Sequence, residues 1–85
     1  MIGVTILTQP SCGFCDQATE ILHRLTPQYD LDIHEVSLDS EEGQKLAMQH
    51  GVMFAPGILL DGKLFSYGRL SEKKLRRQLA PRLSV

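Results

Sequence analysis

Apolar positions along the chain fall into short blocks whose spacing changes from block to block. Residues 3–8, "GVTILT", are β-branched and apolar, the pattern of a short buried strand. Ala18, Ile21, Leu22 and Leu25 then follow at the i, i+3, i+4, i+7 spacing that lines one face of a helix. That spacing predicts a helix over 13–25, closed by Pro27, because a residue preceding proline is disfavoured in helical geometry. Tyr29 and Asp30 then fall in a turn. In residues 31–38, Leu31, Ile33, Val36 and Leu38 alternate imperfectly, as a second strand would.

Ser40 ahead of Glu41 and Glu42 supplies a capping hydroxyl, then acids at the positive end of a second helix. Gly51 after His50 is a left-handed stop. "GILL" (57–60) and "KLFSY" (63–67) flank Asp61-Gly62, a two-residue hairpin signal. Ser71 caps a last helix that carries Leu75 and Leu79 and stops near Pro81. The order is β-α-β-α-β-β-α, one α/β domain over 1–85. The first two strands, separated by a helix, pair in parallel through a right-handed crossover. The last two form an antiparallel hairpin, giving a mixed four-stranded sheet with helices on its faces.

Composition removes several functions. A chain of 85 residues buries one modest core. A formal net charge of -1 argues against a dedicated nucleic-acid binder. No apolar run approaches the length of a membrane span. The opening "MIGVTILTQP" has neither a basic segment nor a small-residue cleavage site, so no secretory signal is read there. The expectation is a cytoplasmic monomer with no nucleic-acid or membrane partner. That compartment disfavours a permanent structural disulfide.

This matters because Cys12 and Cys15 are the only cysteines, two residues apart in "TQPSCGFCDQ". A bridge between them closes a very short loop and constrains the unfolded chain little. A structural zinc site wants four ligands, and His23, His34 and His50 show no ligand-like spacing to complete one. An iron–sulfur cluster would need thiolates from a second chain or a thiol cofactor. Redox chemistry fits the location better. The pair sits where a strand hands over to a helix, and unpaired N–H groups at a helix start favour an anion. Cys12 there should have its thiol pKa lowered. Cys15, one turn on and facing the same side, should be less exposed and within bridging reach. Cys12 is then the nucleophile and Cys15 the resolver. Gly13 is expected to permit close packing of the tight turn, and Phe14 to offer an apolar surface beside the reactive sulfur.

These residues resemble the thioredoxin superfamily in its shorter, glutaredoxin-sized form, through three signatures. One is Cys12-Gly13-Phe14-Cys15 after the opening strand. The second is "HGVMFAPGILL" (50–60), similar to the stretch in which a Gly, four residues and a Pro precede a strand. The third is "YGRLSEKKLRRQL" (67–79), similar to the family's ending of Gly, two residues, Ser and an amphipathic helix. The resemblance implies a dithiol–disulfide oxidoreductase, a thioredoxin-type reductant of protein or small-molecule disulfides, serving electron transport and cell redox homeostasis. It implies a cis Pro56, with Ala55 presenting its backbone to substrate in strand-like pairing. It implies no bound cofactor, with electrons from NADPH through a thioredoxin-reductase-like donor. The alternatives are a glutathione-linked glutaredoxin and an iron–sulfur or metal-binding module.

The departures are specific. Ser11 stands where thioredoxins usually carry Trp, and Ile6 where a buried acid commonly lies. Gln9 stands where glutaredoxins place a glutathione-binding Lys, and Gly68-Arg69-Leu70-Ser71 replaces their Gly-Gly and acidic pair. Gly57 after the proline is unusual in either branch. Lys73, Lys74, Arg76 and Arg77 form a basic run on the last helix, a solvated face or a docking surface. Met48 and Met53 are expected to pack, with Met53 near a groove lined by Phe14 and Phe54.

Overall fold

The computed structural model describes residues 1–83. Four strands and three helices follow in the expected order: β1 (Ile2–Thr8), α1 (Gly13–Tyr29), β2 (Leu31–Ser37), α2 (Glu41–His50), β3 (Gly57–Leu60), β4 (Lys63–Tyr67) and α3 (Glu72–Leu83). The strands form one sheet in the order β2-β1-β3-β4. β1 pairs in parallel with β2, antiparallel with β3, and β3 continues into the antiparallel β4. Asp61 and Gly62 both take positive φ (49° and 82°) at the hairpin tip, as a tight two-residue loop requires.

The sheet has two unlike sides. On one, Val4, Ile6, Ile58 and Leu60 meet Ala18, Leu22 and Leu25 of α1 and Leu75 and Leu79 of α3 in the larger apolar cluster. Burying each large aliphatic side chain there contributes about 1.5–3 kcal/mol. On the other, α2 covers a smaller cluster of Leu7, Cys15, Leu38, Val52 and Ala55. α2 is capped as its sequence predicts. Ser40 Oγ accepts the Gly43 N–H at 2.9 Å, and Gly51 closes the helix at φ 71°.

Two prolines behave differently from expectation. α1 does not stop before Pro27 but continues to Tyr29, with Asp30 as its left-handed cap at φ 54°. The ring removes one N–H from the ladder and crowds the preceding turn. Tertiary packing overrides that penalty, because Tyr29 belongs to the larger core rather than to a turn. The Asp30 N–H donates to Thr26 O at 2.8 Å, and Thr26 Oγ1 donates to Leu22 O at 2.8 Å. α3 likewise runs through Pro81 to Leu83. A bulge between Ile58 and Leu59 leaves Phe65 without a cross-strand partner and turns it toward the larger core.

The register fixes where chemistry can sit. Leu7 pairs with Gly57, and Gly57 with Tyr67, while Thr8 pairs with Ser37. The end of β1, the start of β3 and the end of β4 therefore lie together. The first turns of α1, α2 and α3 rise from that same end. No helix among the described residues is long and apolar enough to cross a membrane.

Candidate functional site

After β1 the chain turns through Gln9, Pro10 and Ser11, and Ser11 takes a left-handed φ of 55°. Cys12 then occupies the N-cap of α1 with extended backbone (φ −114°), and its Sγ accepts the Cys15 N–H at 3.1 Å. A sulfur thus fills the position where an oxygen of Ser, Thr, Asp or Asn commonly satisfies an orphan donor. Cys12 and Cys15 are joined in a disulfide, with Cα atoms 5.2 Å apart. The two sulfurs differ in access. Cys12 is half-buried, whereas Cys15 is only 3% exposed, lodged among Leu7, Leu38, Val52 and Ala55.

The residues between the cysteines are both exposed. A Cβ on Gly13 would meet nothing within 4 Å, so this glycine does not serve close packing as expected from its position in a turn. What it does is leave open surface beside the disulfide. Phe14 projects into solvent, half exposed at 50%. Opposite lies the Ala55–Pro56 peptide bond, which is cis as the resemblance implied, with both residues buried.

Gly57 has a steric reason. A Cβ there would stand 2.9 Å from Val52 Cγ1 and 3.2 Å from Leu7 Cδ1, closer than a stiff β-branched neighbour tolerates. Gly68 was named in the sequence only as part of a departure, yet it is a hub. Its N–H donates to Pro56 O at 2.8 Å, its φ is 84°, and the Phe54 ring lies where its side chain would be, 2.8 Å from an ideal Cβ. Phe54 also meets Tyr67 edge to face, with ring centroids 5.1 Å apart. The strand pattern of "KLFSY" does not place Tyr67 against Phe54, because the bulge between Ile58 and Leu59 breaks the simple alternation. Met48 and Met53, expected to pack, are 84% and 75% exposed instead. α2 turns Met48 outward, and Met53 sits on the loop leading to Pro56.

Ile6 is fully buried in the larger cluster, away from the cysteines. Among the described residues no Asp or Glu is buried, so Cys15 has no buried carboxylate beside it. His23 and His34 are exposed and His50 half-buried. No three His, Cys, Asp or Glu side chains among the described residues are grouped as a metal ion would need. Nearer α3, Glu72 accepts from Arg24 at 2.7 Å and from Arg76 at 3.0 Å, and its hydrogen bond raises the Arg76 pKa above the ordinary value.

A family model described as "Thioredoxin domain" matches residues 2–80. The chain belongs to the thioredoxin family. It is a thioredoxin-type dithiol–disulfide oxidoreductase, and Cys12 and Cys15 are its CxxC redox pair. A probable thioredoxin of Archaeoglobus fulgidus is 22% identical over 77 residues, covering 91% of this chain and 85% of that protein. An NADPH-dependent thioredoxin reductase of Arabidopsis thaliana is 36% identical over 55 residues, 65% of this chain but only 10% of that protein. A mutant thioredoxin from Halobacterium salinarum shares the fold at a TM-score of 0.75 and 23% identity, over 99% of this chain and 76% of that one. Thioredoxin-family membership implies a reductase and disulfide substrates as partners in general terms.

Proposed function

We propose that this thioredoxin-family chain works as a reductant, with Cys12 attacking substrate disulfides and Cys15 resolving them. The observation that carries the assignment is the unequal setting of the two sulfurs. Cys12 Sγ receives the Cys15 N–H at the head of a 17-residue helix, while Cys15 is 3% exposed in an apolar pocket. Backbone donors stabilise a thiolate at Cys12, and apolar burial disfavours one at Cys15.

In the reduced protein the Cys12 thiolate attacks one sulfur of the substrate bond. A mixed disulfide forms and one substrate thiolate leaves. Cys15 then gives its proton to that departing thiolate or to water, since no buried carboxylate among the described residues stands beside it. Its sulfur attacks Cys12 Sγ, releasing the second substrate thiol. Two electrons have passed to the substrate, and the protein is left with the Cys12–Cys15 bond. Ala55, with the cis Pro56, and the rings of Phe14 and Phe54 form the wall against which an extended substrate segment lies. Gly13 leaves that approach open. No bound cofactor takes part. Electrons return from NADPH through a thioredoxin-reductase-like partner in a reducing compartment such as the cytoplasm. Gln9 and Arg69, both exposed, stand where glutathione contacts would be, which supports this donor over glutathione.

Trapping tests the roles. The Cys15→Ser variant should accumulate mixed disulfides through Cys12, and the Cys12→Ser variant should accumulate none; the reverse pattern would overturn the assignment. The couple should equilibrate within roughly −200 to −270 mV, the span of reducing family members, and a value near −120 mV would mark an oxidant. NADPH consumption with thioredoxin reductase should exceed that with glutathione and glutathione reductase. A faster glutathione system would make the chain a glutaredoxin with an unconventional site.

A further inference from the structure

A cleft of about 500 Å³ lies between Gln17 and Ile21 of α1 and the segment that leads from β4 into α3. The link to the site is Gly68, whose N–H is held by Pro56 O and which brings the next residue, Arg69, to the wall opposite Gln17 and Ile21. Arg69 and Lys74 are exposed and line this cleft, and neither makes an ion pair among the described residues. The one carboxylate lining it among those residues, Glu72, is already engaged by Arg24 and Arg76. The basic run of α3 is therefore divided. Arg76 is internally neutralised, whereas Lys74 joins Arg69 facing open space. Across the sheet, the cleft of about 550 Å³ under α2 presents Glu35 and Glu42 together with His34 and His50. Uncompensated positive charge thus lies in the cleft between α1 and α3, and carboxylates lie in the cleft under α2.

We propose that the Arg69–Lys74 cleft is a specificity surface for protein substrates that carry acidic residues next to the disulfide. The inference rests on the reductant role given above and adds the substrate class. An extended segment whose cysteine reaches Cys12 and whose flank turns toward α3 sets its carboxylates against the two cations. A segment with basic flanks meets repulsion there. Exposed charge pairs are individually weak, so the preference is graded and disappears with salt.

The experiment is single-turnover reaction of pre-reduced protein with three disulfide-linked peptides, identical except for Glu, Gln or Lys on both sides of the cysteine. At low ionic strength the Glu peptide should react about three- to twentyfold faster than the Lys peptide, from one or two exposed contacts. The ratio should fall toward one in 0.5 M salt and should invert in the Arg69→Glu/Lys74→Glu variant. Equal rates for all three peptides would overturn the charge preference and leave the reductant role standing. Failure to reduce any of them would overturn both. A variant that slows all three equally would overturn the inference, since loss of fold or disulfide chemistry then explains it. Glutathione disulfide reacting faster than the Glu peptide, with that advantage lost in the variant, would assign the cleft to a small thiol and not to a protein segment.

Discussion

The two sides of the sheet divide the work between them. The α1–α3 side is a continuous apolar interior in which Leu22, Leu25, Leu75, Leu79, Val4 and Ile6 are all fully buried. The α2 side is smaller, includes the Cys15 sulfur, and borders exposed Phe54 and Met53. The first side holds the chain together. The second places Cys15 in an apolar lining and leaves Cys12 within reach of a partner. A small domain has little stability in reserve, so concentrating it on one side frees the other for surfaces that must remain open.

That division can be broken from either side. The largest effect belongs to Leu22→Ala, which removes a fully buried side chain where α1 meets the sheet. It should cost about 2–5 kcal/mol in denaturant unfolding. In the folded reduced protein, Cys12 should still react with iodoacetamide before Cys15, and loss of that order would show that the two sides are not separable. Next is Gly57→Ala. The added methyl meets Val52 Cγ1 and Leu7 Cδ1, and overpacking of this kind costs about 1–3 kcal/mol. Because Val52 and Leu7 also line Cys15, disulfide turnover should fall by more than the fraction unfolded explains. An unchanged turnover per folded molecule would separate this cluster from the chemistry. The smallest effect is Ser40→Ala, which removes the cap of α2. Thermal unfolding should register about 1 kcal/mol, with little change in Cys12 reactivity.

Where local chemistry decides the structure, the residues could be read directly. Ser40 and Gly51 bound α2, Asp61-Gly62 makes the hairpin, and Cys12 begins a helix, each through a backbone requirement carried by one or two residues. Where distant packing decides, the reading failed. Nothing near Pro27 announces that Tyr29 will be drawn into the core and carry the helix past the proline. Nothing in "KLFSY" reports that a bulge will skip Phe65 and so leave Tyr67 against Phe54. The antiparallel pairing of β1 with β3 joins segments some fifty residues apart and has no local signature. The same split holds at the site. The cysteines and Pro56 were visible as motifs, whereas Gly68 acquires its role only once the end of β4 is folded back against the proline.

The sulfur cap of α1 has a thermodynamic corollary. In the oxidised chain the Cys15 N–H is received by a neutral disulfide sulfur, a poor acceptor; in the reduced chain the same N–H would meet the Cys12 thiolate that the proposed mechanism requires. The first helical turn is thus bonded more strongly in one electron state than in the other. Linkage is reciprocal, so whatever tightens that turn must favour the dithiol by the same free energy. A partner that grips the head of α1 would make the protein harder to oxidise, and one that loosens it would make the protein a stronger reductant, without touching either sulfur.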